Sequence, residues 1–270
     1  MRLTRRGVVG GVTAVLVAAA AATDASAQDA YPRRPINLIL PYAAGGGTDA
    51  VARVFAKALE DKLGGAIVVE NRPGAAGNIA TDAVATAKPD GYTLLIGNQG
   101  PMVVNPDLTT TMRSDPERTL EPIILIANAA LVVVVGPSLK VETLAELVSA
   151  AKANPGKLTY ASASNASASH LATLLLERAA GIKALHVAYR GASPALNDVV
   201  GGHIDFMVTT IPSTTGLIQG GRLRALAVTG TGRAVGLPGV PTAAEAGAPG
   251  AIRRRRGTAC WRRKDCRRAS

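Results

Sequence analysis

The sequence predicts an α/β protein with largely parallel sheets. Nine short runs rich in aliphatic and β-branched residues recur between residues 36 and 229, and amphipathic segments with a helical period separate most of them. This alternation is typical of βαβ units, whose strands pair in parallel. With 270 residues, the chain can bury a sizeable core as one large domain or as two lobes.

The N-terminal segment, positions 1–27, predicts a cleaved secretory signal. A basic opening, "MRLTRR", precedes the apolar stretch "VVGGVTAVLVAAAAA", and the small residues "ASA" end at Ala27. This order is the three-part pattern of an exported protein that is cleaved after Ala27. A membrane anchor is the alternative, although the apolar stretch is shorter than the ~20 residues that a spanning helix needs. The arginine pair Arg5 and Arg6 does not by itself separate Sec from twin-arginine export.

The distribution of charge argues against nucleic acid as a partner. Of the net charge of +11, positions 251–270 carry +8 and positions 1–28 carry +2, which leaves +1 for the body of the chain between them. A nearly neutral body offers no surface that could follow a phosphate backbone. Because cysteine is absent before Cys260, we expect the core, and not disulfides, to hold the exported protein together.

The first predicted strand leads into a glycine-rich loop. The strand "INLIL" is followed by "LPYAAGGGTD" at residues 40–49, and the amphipathic pattern of a helix runs from Asp49 to Leu63. Glycines between a strand and a helix let backbone N–H groups approach an anion. The lysine of a P-loop and the GxGxxG spacing of a dinucleotide site are both missing, which disfavours nucleotides. A tight turn that binds nothing is the alternative.

The remaining elements continue the alternation and divide into two groups. Helices are predicted from Thr143, which has capping-box spacing to Glu146, and from Ser193, where Pro194 suits the first helical position. We expect one lobe from residues 31–128 together with 227–250, and a second lobe from residues 129–226. Two lobes joined by crossing strands form a cleft that suits a small ligand. The predicted strands after the first are "AIVVE", "YTLLIG", "PIILIA", "LVVVVG", "KLTYAS", "LHVAY", "IDFMVT" and "LRALAVT".

A second loop of small polar residues repeats the arrangement of the glycine loop. In "YASASNASASHLATLLLERAAG" a strand ends near Tyr160, and a serine-rich loop runs into a helix. Two helix N-termini, one in each lobe, would then present N–H and O–H donors to the same cleft. Each N-terminus carries roughly half a positive charge, which suits a carboxylate without a buried Arg or Lys. A solvated linker is the alternative for the serine-rich loop.

Catalytic residues are not indicated by any motif. Ser169, His170 and Asp205 could form a triad on paper, but no GxSxG sequence supports one, and His186 alternates like a hydrogen-bonded structural residue of a strand. The sequence contains no HExxH motif and no Cys/His spacing typical of metal sites. We therefore expect no catalysis, no cofactor and no metal. A periplasmic enzyme acting on carboxylated small molecules is the alternative.

Five segments together resemble one known family. "LPYAAGGGTDAVAR", "VVENRPGAAGNIATDAVATAKPDGYTLL", "NPGKLTYASASNASASHLATLLLE", "HVAYRGASPALNDVVGGHIDFM" and "LRALAVT…LPGVPTAAEAG" resemble the Bug family, the TctC-type solute receptors of tripartite tricarboxylate transporters. The resemblance spans residues 31 to about 250. It implies a two-lobed periplasmic binding protein, type II-like, with a mostly parallel sheet in each lobe. It also implies a monomer that closes on a small organic carboxylate and delivers it to inner-membrane permease subunits.

The resemblance also implies which residues contact the ligand. In the family the two loops act as a pincer on a carboxyl group, through main-chain amides, hydroxyls and waters. Family members often have Gly at the positions of Ser164 and Ala166, and Asp at the position of Thr209, so the ligand of this chain is expected to differ in shape. The segment from Tyr189 to Gly191 and the strand end at Thr209 and Thr210 are expected to wall the cleft. Carried onto this sequence, the ligand-binding residues are Tyr42, Ala43, Gly46, Gly47, Thr48, Asp49, Ser162, Ser164, Asn165, Ser167, Tyr189, Gly191, Thr209 and Thr210.

The C-terminal segment, positions 251–270, breaks the pattern of the body. Its sequence, "AIRRRRGTACWRRKDCRRAS", lacks apolar periodicity and contains the only Trp and both Cys. A nucleic-acid-binding arm is one interpretation, and an aberrant basic tail produced by a frameshift is the one we favour, because family chains continue well past the "PTAAEAG" motif with further strands and helices. We expect such a tail to leave apolar faces of the first lobe exposed. Translating the other two frames of the coding DNA past codon 250 tests the frameshift, because neither frame should encode an apolar, periodic sequence if the tail is native.

Overall fold

The structure is a computed structural model that describes residues 31–108, 112–247 and 255–264. The predicted secretory signal and part of the basic tail lie outside these residues. Across the described ranges, no helix is both long enough and apolar enough to cross a membrane.

All nine predicted runs form strands. "PIILIA" and "LVVVVG" belong to one 16-residue strand, β4, which continues through the intervening Asn128, Ala129 and Ala130. A further strand, β9, was not predicted. The strands are β1 (Ile36–Leu40), β2 (Ile67–Asn71), β3 (Thr93–Asn98), β4 (Leu120–Val135), β5 (Thr159–Ser162), β6 (Leu185–Ala188), β7 (Phe206–Thr210), β8 (Arg224–Val228) and β9 (Arg255–Arg263).

Helices connect most of these strands. The predicted cap holds at Thr143, whose hydroxyl accepts a hydrogen bond from Glu146 N at 3.2 Å, whereas the helix predicted from Ser193 begins one residue earlier. A π-helical turn, Gly100–Val104, runs into α3. The helices are α1 (Gly47–Leu63), α2 (Asn78–Ala85), α3 (Asn105–Leu108), α4 (Pro116–Thr119), α5 (Leu144–Ala153), α6 (Ala168–Ala180), α7 (Ala192–Val200) and α8 (Ile211–Gln219).

The strands form one mixed sheet in the order β2-β1-β3-β9-β4-β7-β5-β6, with β8 also paired to β4. Each end of this order is a parallel set, β2-β1-β3 on one side and β7-β5-β6 on the other. The antiparallel pairs all involve β4 or β9. The predicted α/β class with mostly parallel strands is therefore confirmed.

β4 belongs to both parts of the sheet. Its residues 120–130 pair with β9, and its residues 131–135 pair with β7 on one side and β8 on the other. We call the strands β1–β3 with their helices the first half, and the strands β5–β8 with theirs the second half. The predicted boundary at residues 128/129 falls within β4, where it passes from one set of partners to the other. The two halves as separate lobes remain a prediction.

Both faces of each half are covered by helices. Leu38 of β1 packs with Ala52 and Ala56 of α1, whereas the neighbouring Ile39 packs with Val84 of α2 on the other face. In the second half, Val133 of β4 belongs to a cluster with α5 and α6, and the adjacent Val132 to a cluster with α7. Strands buried on both faces explain the continuous apolar runs in the sequence.

The assignment of residues 227–250 to the first lobe is wrong for the described part, 227–247. β8 pairs with the second-half part of β4, and Thr229 N donates to Leu131 O at 2.8 Å. Leu237 and Ala243 are buried in the two clusters of the second half. The β8 strand stays on the edge of β4, and this pairing keeps the following residues in the second half.

The basic tail contributes to the fold, contrary to expectation. β9 lies between β3 and β4, with Cys260 opposite Ile96 on one side and Ile124 on the other. Its Cys260 is only 1% exposed, and Trp261 packs against the α2-side cluster of the first half. The expected exposed apolar surface is present beside it, because Ile123, Ile124 and Leu125 of β4 are about half exposed. The frameshift itself stays a prediction.

The burial of β9 can be tested by the reactivity of its thiol. Burial raises the pKa of Cys260 to about 12, so at pH 8 the thiol is protonated and unreactive. In a Cys266→Ser chain, in which Cys260 is the single thiol, we expect labelling by a disulfide reagent to be at least 100-fold slower in buffer than in 8 M urea. Labelling at the same rate in both would contradict the placement of β9 inside the sheet.

Candidate functional site

The glycine loop, residues 41–46, follows the carboxyl end of β1 and is held in place by Asp49. The carboxylate of Asp49 is buried and accepts hydrogen bonds from Gly45 N at 3.1 Å, from Arg53 Nε at 2.9 Å and from Asn71 Nδ2 at 3.1 Å. Asn71 also donates to Tyr42 O at 2.9 Å. Asp49 was predicted to contact the ligand, but these donors occupy it and make it a support of the loop.

Electrostatics keep this carboxylate charged. Burial raises the pKa of Asp49, but the hydrogen bonds from Arg53, Gly45 N–H and Asn71 outweigh it, so the pKa lies below its usual value. The charge sits in the first turn of α1, where the helix dipole also favours an anion. The loop therefore keeps its shape at neutral pH.

The start of α1 packs closely against the second half. The amides of Gly46 and Gly47 begin the helix, so they have no acceptor within it. A Cβ at Gly47 would stand 2.0 Å from Thr210 Oγ1, and one at Gly46 would touch Ala192 Cβ at 3.5 Å. Glycine is required at position 47 because the end of β7 comes this close.

A backbone hydrogen bond also joins the two halves. Ala43 N donates to Arg190 O at 2.9 Å. Gly191, which precedes α7, has φ 151°, and a Cβ there would stand 2.9 Å from Ala43 N. The predicted residues Ala43 and Gly191 thus meet, and both are small because the two backbones touch.

The serine loop, residues 163–167, is held by its own hydroxyls. Ser167 Oγ donates to Ser164 O at 2.7 Å and caps α6 by accepting from His170 N at 3.4 Å. Ser169 Oγ accepts from Ala163 N at 2.9 Å. These hydroxyls lie buried in the loop, so they shape it in the same way as Asp49 shapes the glycine loop.

Two histidines support the serine loop from outside. His186 Nε2 lies 2.6 Å from the hydroxyl of the fully buried Ser162, which confirms the prediction that His186 is a hydrogen-bonded strand residue. His170 Nδ1 accepts from Ala166 N at 3.1 Å. Ala166 has φ 56°, a left-handed conformation that favours glycine.

A cavity of about 130 Å³ opens between the two loops. Four of the predicted ligand-binding residues line it, namely Tyr42, Ser164, Asn165 and Tyr189. The hydroxyl of Tyr189 donates to Asp198, and burial followed by this bond raises the pKa of Tyr189 to about 12, so the ring stays neutral. Tyr42 is fixed through its hydroxyl, which donates to Asn98 Oδ1 at 3.0 Å.

The other predicted residues lie around this cavity and not on its wall. Ser167, Thr209 and Thr210 line a much smaller cavity of about 10 Å³. Ala43, Gly46, Gly47 and Gly191 form the contact between the halves. Thr48, Asp49 and Ser162 are buried supports, with exposures of 4%, 5% and 0%. A direct ligand contact by each member of the predicted set remains a prediction.

Several residues of the cavity were not predicted. The loop after β2 supplies Gly74 to Gly77, in which Ala75 and Ala76 have φ 44° and 56°. The signal for it was present, because "GAAG" stands between a strand and a helix like the glycine loop. Arg190 belongs to the segment from Tyr189 to Gly191 that was expected to wall the cleft; it lines the cavity, and no other charged residue does so among those described. Asn98 carries no motif, yet it positions Tyr42 and leaves its buried Nδ2 without a described partner.

A larger open cavity, about 510 Å³, lies elsewhere in the second half, between the end of β4 and the start of β8. Lys140, Glu142, Arg222 and Arg224 stand on its wall, and Arg224 pairs with Glu142 at 2.5 Å. None of the predicted residues lies there, and the first half does not reach it. The smaller cavity, formed by loops from both halves, is therefore the better candidate.

The role of Asp49 as a support leads to a stability prediction. Asp49→Asn keeps the size of the side chain but turns one acceptor into a donor that faces the donors around it. We expect the free energy of unfolding to fall by about 1–3 kcal/mol in urea titrations. Asp61→Asn is the matched control, because Asp61 also pairs with a cation four residues away in α1 but is exposed, and it should change little. Equal losses in both variants would show that the loop does not depend on Asp49.

Known proteins similar to this chain share one family. The sequence profile of the "Tripartite tricarboxylate transporter family receptor" (TctC) matches residues 51–255. A UPF0065 protein from the tcbD-tcbE intergenic region of Pseudomonas sp. strain P51 is 40% identical over 247 residues, 91% of this chain and 73% of that protein. Protein BugT of Bordetella pertussis is 39% identical over 253 residues, 92% of this chain and 76% of that protein.

Several solved structures have a fold similar to that of this chain. A protein of R. palustris solved with adipate has a TM-score of 0.84 and 34% identity, covering 87% of this chain and 79% of its own. Periplasmic binding protein BugD has a TM-score of 0.83 and 36% identity, covering 88% and 79%. MatC from Rhodopseudomonas palustris, with bound malate, has a TM-score of 0.81 and 29% identity, covering 87% and 80%.

These matches decide between the two functions that the sequence left open. The receptors of this family are periplasmic solute-binding proteins, which confirms the predicted receptor and argues against the periplasmic enzyme. The profile covers the start of α1 to the start of β9, and so includes the serine loop and most of the cavity. The chain belongs to the tripartite tricarboxylate transporter family receptors, the TctC or Bug family.

Proposed function

We propose that this chain binds a small organic carboxylate in the 130 Å³ cavity between the glycine loop and the serine loop. The observation that carries the proposal is the charge of the wall, where Arg190 is the one charged side chain among the described lining residues. Arg190 has no described ion-pair partner. A guanidinium offers several N–H donors in a planar fork that matches a carboxylate.

The remaining wall suits the rest of such a ligand. Backbone of the small residues Gly74 to Gly77 and Ala163 forms much of the surface, and the hydroxyl-bearing Tyr42 and Ser164 supply polar edges. A cavity of about 130 Å³ is small, so the site suits a small acid better than a nucleotide. The ligands of the two related solved structures, adipate and malate, are such acids.

The two halves would act as lobes that close on the ligand. β4 runs through both halves, and the glycine loop meets the second half through backbone contacts that a rotation about β4 could break and remake. A ligand that touches both loops favours the closed arrangement, because it gains its second set of contacts only there. The predicted site residues would serve this closure, some as ligand contacts and others as the contact between lobes.

The proposal includes the place and partners of the protein. The pattern of positions 1–27 supports export to the periplasm with cleavage after Ala27. As a receptor, the protein would deliver its ligand to the inner-membrane permease subunits of a tripartite tricarboxylate transporter. We propose that it works as a monomer without a cofactor, since both loops of the site come from one chain.

The ligand site can be tested by exchanging one arginine. Arg190→Gln removes the charge from the cavity wall, and we expect the affinity for malate, adipate or whichever acid stabilises the chain in a thermal-shift screen to fall at least tenfold by calorimetry. Arg222→Gln is the matched control, because Arg222 is also exposed and lines the larger cavity. A loss of affinity in Arg222→Gln, with Arg190→Gln unaffected, would place the ligand in the larger cavity.

Closure can be tested at Gly47. Gly47→Ala puts a methyl group where Thr210 Oγ1 lies, so the halves cannot come together as observed, and we expect at least a tenfold loss of carboxylate affinity. Adding Thr210→Ala should restore part of it, because the nearest atom is then removed. The control is Gly216→Ala in α8, where a Cβ meets nothing within 4 Å. Unchanged affinity in Gly47→Ala would mean that this contact plays no part in binding.

A further inference from the structure

Three aromatic rings of the second half form a stack, and a fourth ring packs at a tilt against one end of it. His170 of α6 and His186 of β6 are stacked with centroids 4.0 Å apart and planes 8° apart. Tyr160 of β5 continues the stack, 4.9 Å from His186, and Phe206 of β7 follows at 5.7 Å from Tyr160. The stack thus joins three neighbouring strands to the helix that follows the serine loop.

Each imidazole in this stack is bonded to one end of the serine loop. His170 Nδ1 accepts the hydrogen bond from Ala166 N, and His186 Nε2 contacts the hydroxyl of Ser162. Ser162 Oγ also lies 2.9 Å from Ser164 O. Because a hydroxyl has one proton, Ser162 donates to Ser164 O when His186 Nε2–H donates to Ser162. The two rings therefore fix both the entry and the left-handed turn of the loop.

We propose that His170 and His186 are positioning residues that hold the serine loop in its observed shape, and that the loop is held only while His170 is uncharged, so that mild acid loosens it. The bond from Ala166 requires a bare Nδ1 on His170, and a proton on that atom would face the Ala166 N–H. A charge on either ring also opposes a charge on the other across 4.0 Å.

The described ionisable groups around the stack do not neutralise a positive charge on either imidazole. Tyr160 is neutral, because burial and then Glu177 raise its pKa. Glu177 itself accepts from Ala184 N at 2.7 Å, and its neighbour in α6 is the cation Arg178. Asp205, before β7, is bonded to Thr159 N and Oγ1 at 2.7 and 2.9 Å. The two rings thus have each other as their nearest ionisable neighbours among the described contacts.

The direction of the pH effect follows from burial. Burial lowers the pKa of His170, and burial followed by the charge of His170 lowers the pKa of His186 to about 4. In a loosened loop both pKa values return toward the ordinary 6.5. The loosened state then binds more protons below about pH 6.5, so the loop is fully held above that pH and is weakened as the pH falls below it.

Hydrogen exchange of the loop tests the proposal without a ligand. At pH 7.5 and at pH 5.0, corrected for intrinsic exchange rates, we expect the protection of residues 163–169 in the full chain to fall at least tenfold on acidification. Protection of residues 131–135 of β4 should stay within twofold, which shows that the fold is intact. Equal protection of the loop at both values would overturn the proposal.

A conservative variant separates positioning from general packing. In His170→Asn, the side-chain oxygen can accept from Ala166 N as Nδ1 does, but the residue cannot take up a proton. The loop of this variant should keep its protection at pH 5.0, whereas the same acid-induced loss as in the unchanged chain would overturn the proposal. A second measurement uses the unchanged chain alone. The imidazole resonances of His170 should titrate with the midpoint at which loop protection is lost, and distinct midpoints would also overturn the proposal.

The consequence for binding rests on the proposed function. The affinity for the carboxylate probe should fall more steeply from pH 7.5 to 5.0 in the unchanged chain than in His170→Asn, since protonation of the probe is the same for both. If no carboxylate binds at pH 7.5, the proposed function fails, and the exchange experiment still decides the role of the histidines.

Discussion

The double pairing of β4 is the constraint on which the rest of the structure depends. One strand of 16 residues hydrogen-bonds to β9 along its first part and to β7 and β8 along its last part. Through β7 it orders the parallel set of the second half, and through β9 it orders that of the first. The loops at the carboxyl ends of β1 and β5 belong to different parallel sets, and the continuous backbone of β4 links those two sets.

The site built on this frame is made largely of backbone, and its side chains are mostly small. Glycine and alanine let the start of α1 lie against β7 and α7, while serine hydroxyls and Asp49 are used to shape the loops. The cavity wall takes its charged and aromatic groups from Arg190, Tyr42 and Tyr189. These residues lie where the loops leave the contact between the halves. Because most side chains of the two loops are small or already hydrogen-bonded within the loop, the loops are rigid. Few side chains are then free to distinguish one acid from another.

The sequence was sufficient for the strands and for the two loops, because both are encoded locally. Continuous apolar runs predict strands buried on two faces, and glycine or serine between a strand and a helix predicts the loops. The strand β9 could not be predicted from local sequence, because the arginine-rich segment around Cys260 and Trp261 has no strand period. It forms a strand because it pairs with β3 and β4. The same holds for residues 227–247, whose place is set by the edge of β4. Asn98 was missed because only the folded chain brings it to Tyr42.

The position of β9 determines when the first half can be completed. β3 ends at Asn98, yet the strand that lies beside it is Arg255–Arg263, so the gap between β3 and β4 is filled by residues made about 160 positions later. At a synthesis rate of roughly 5–20 residues per second, the edges of β3 and β4 wait on the order of 10–30 s for their shared neighbour. The second half has no such wait, because all its strands lie between residues 131 and 228. Chain order thus completes the strand set of the second half before that of the first half, although the first half begins earlier in the chain.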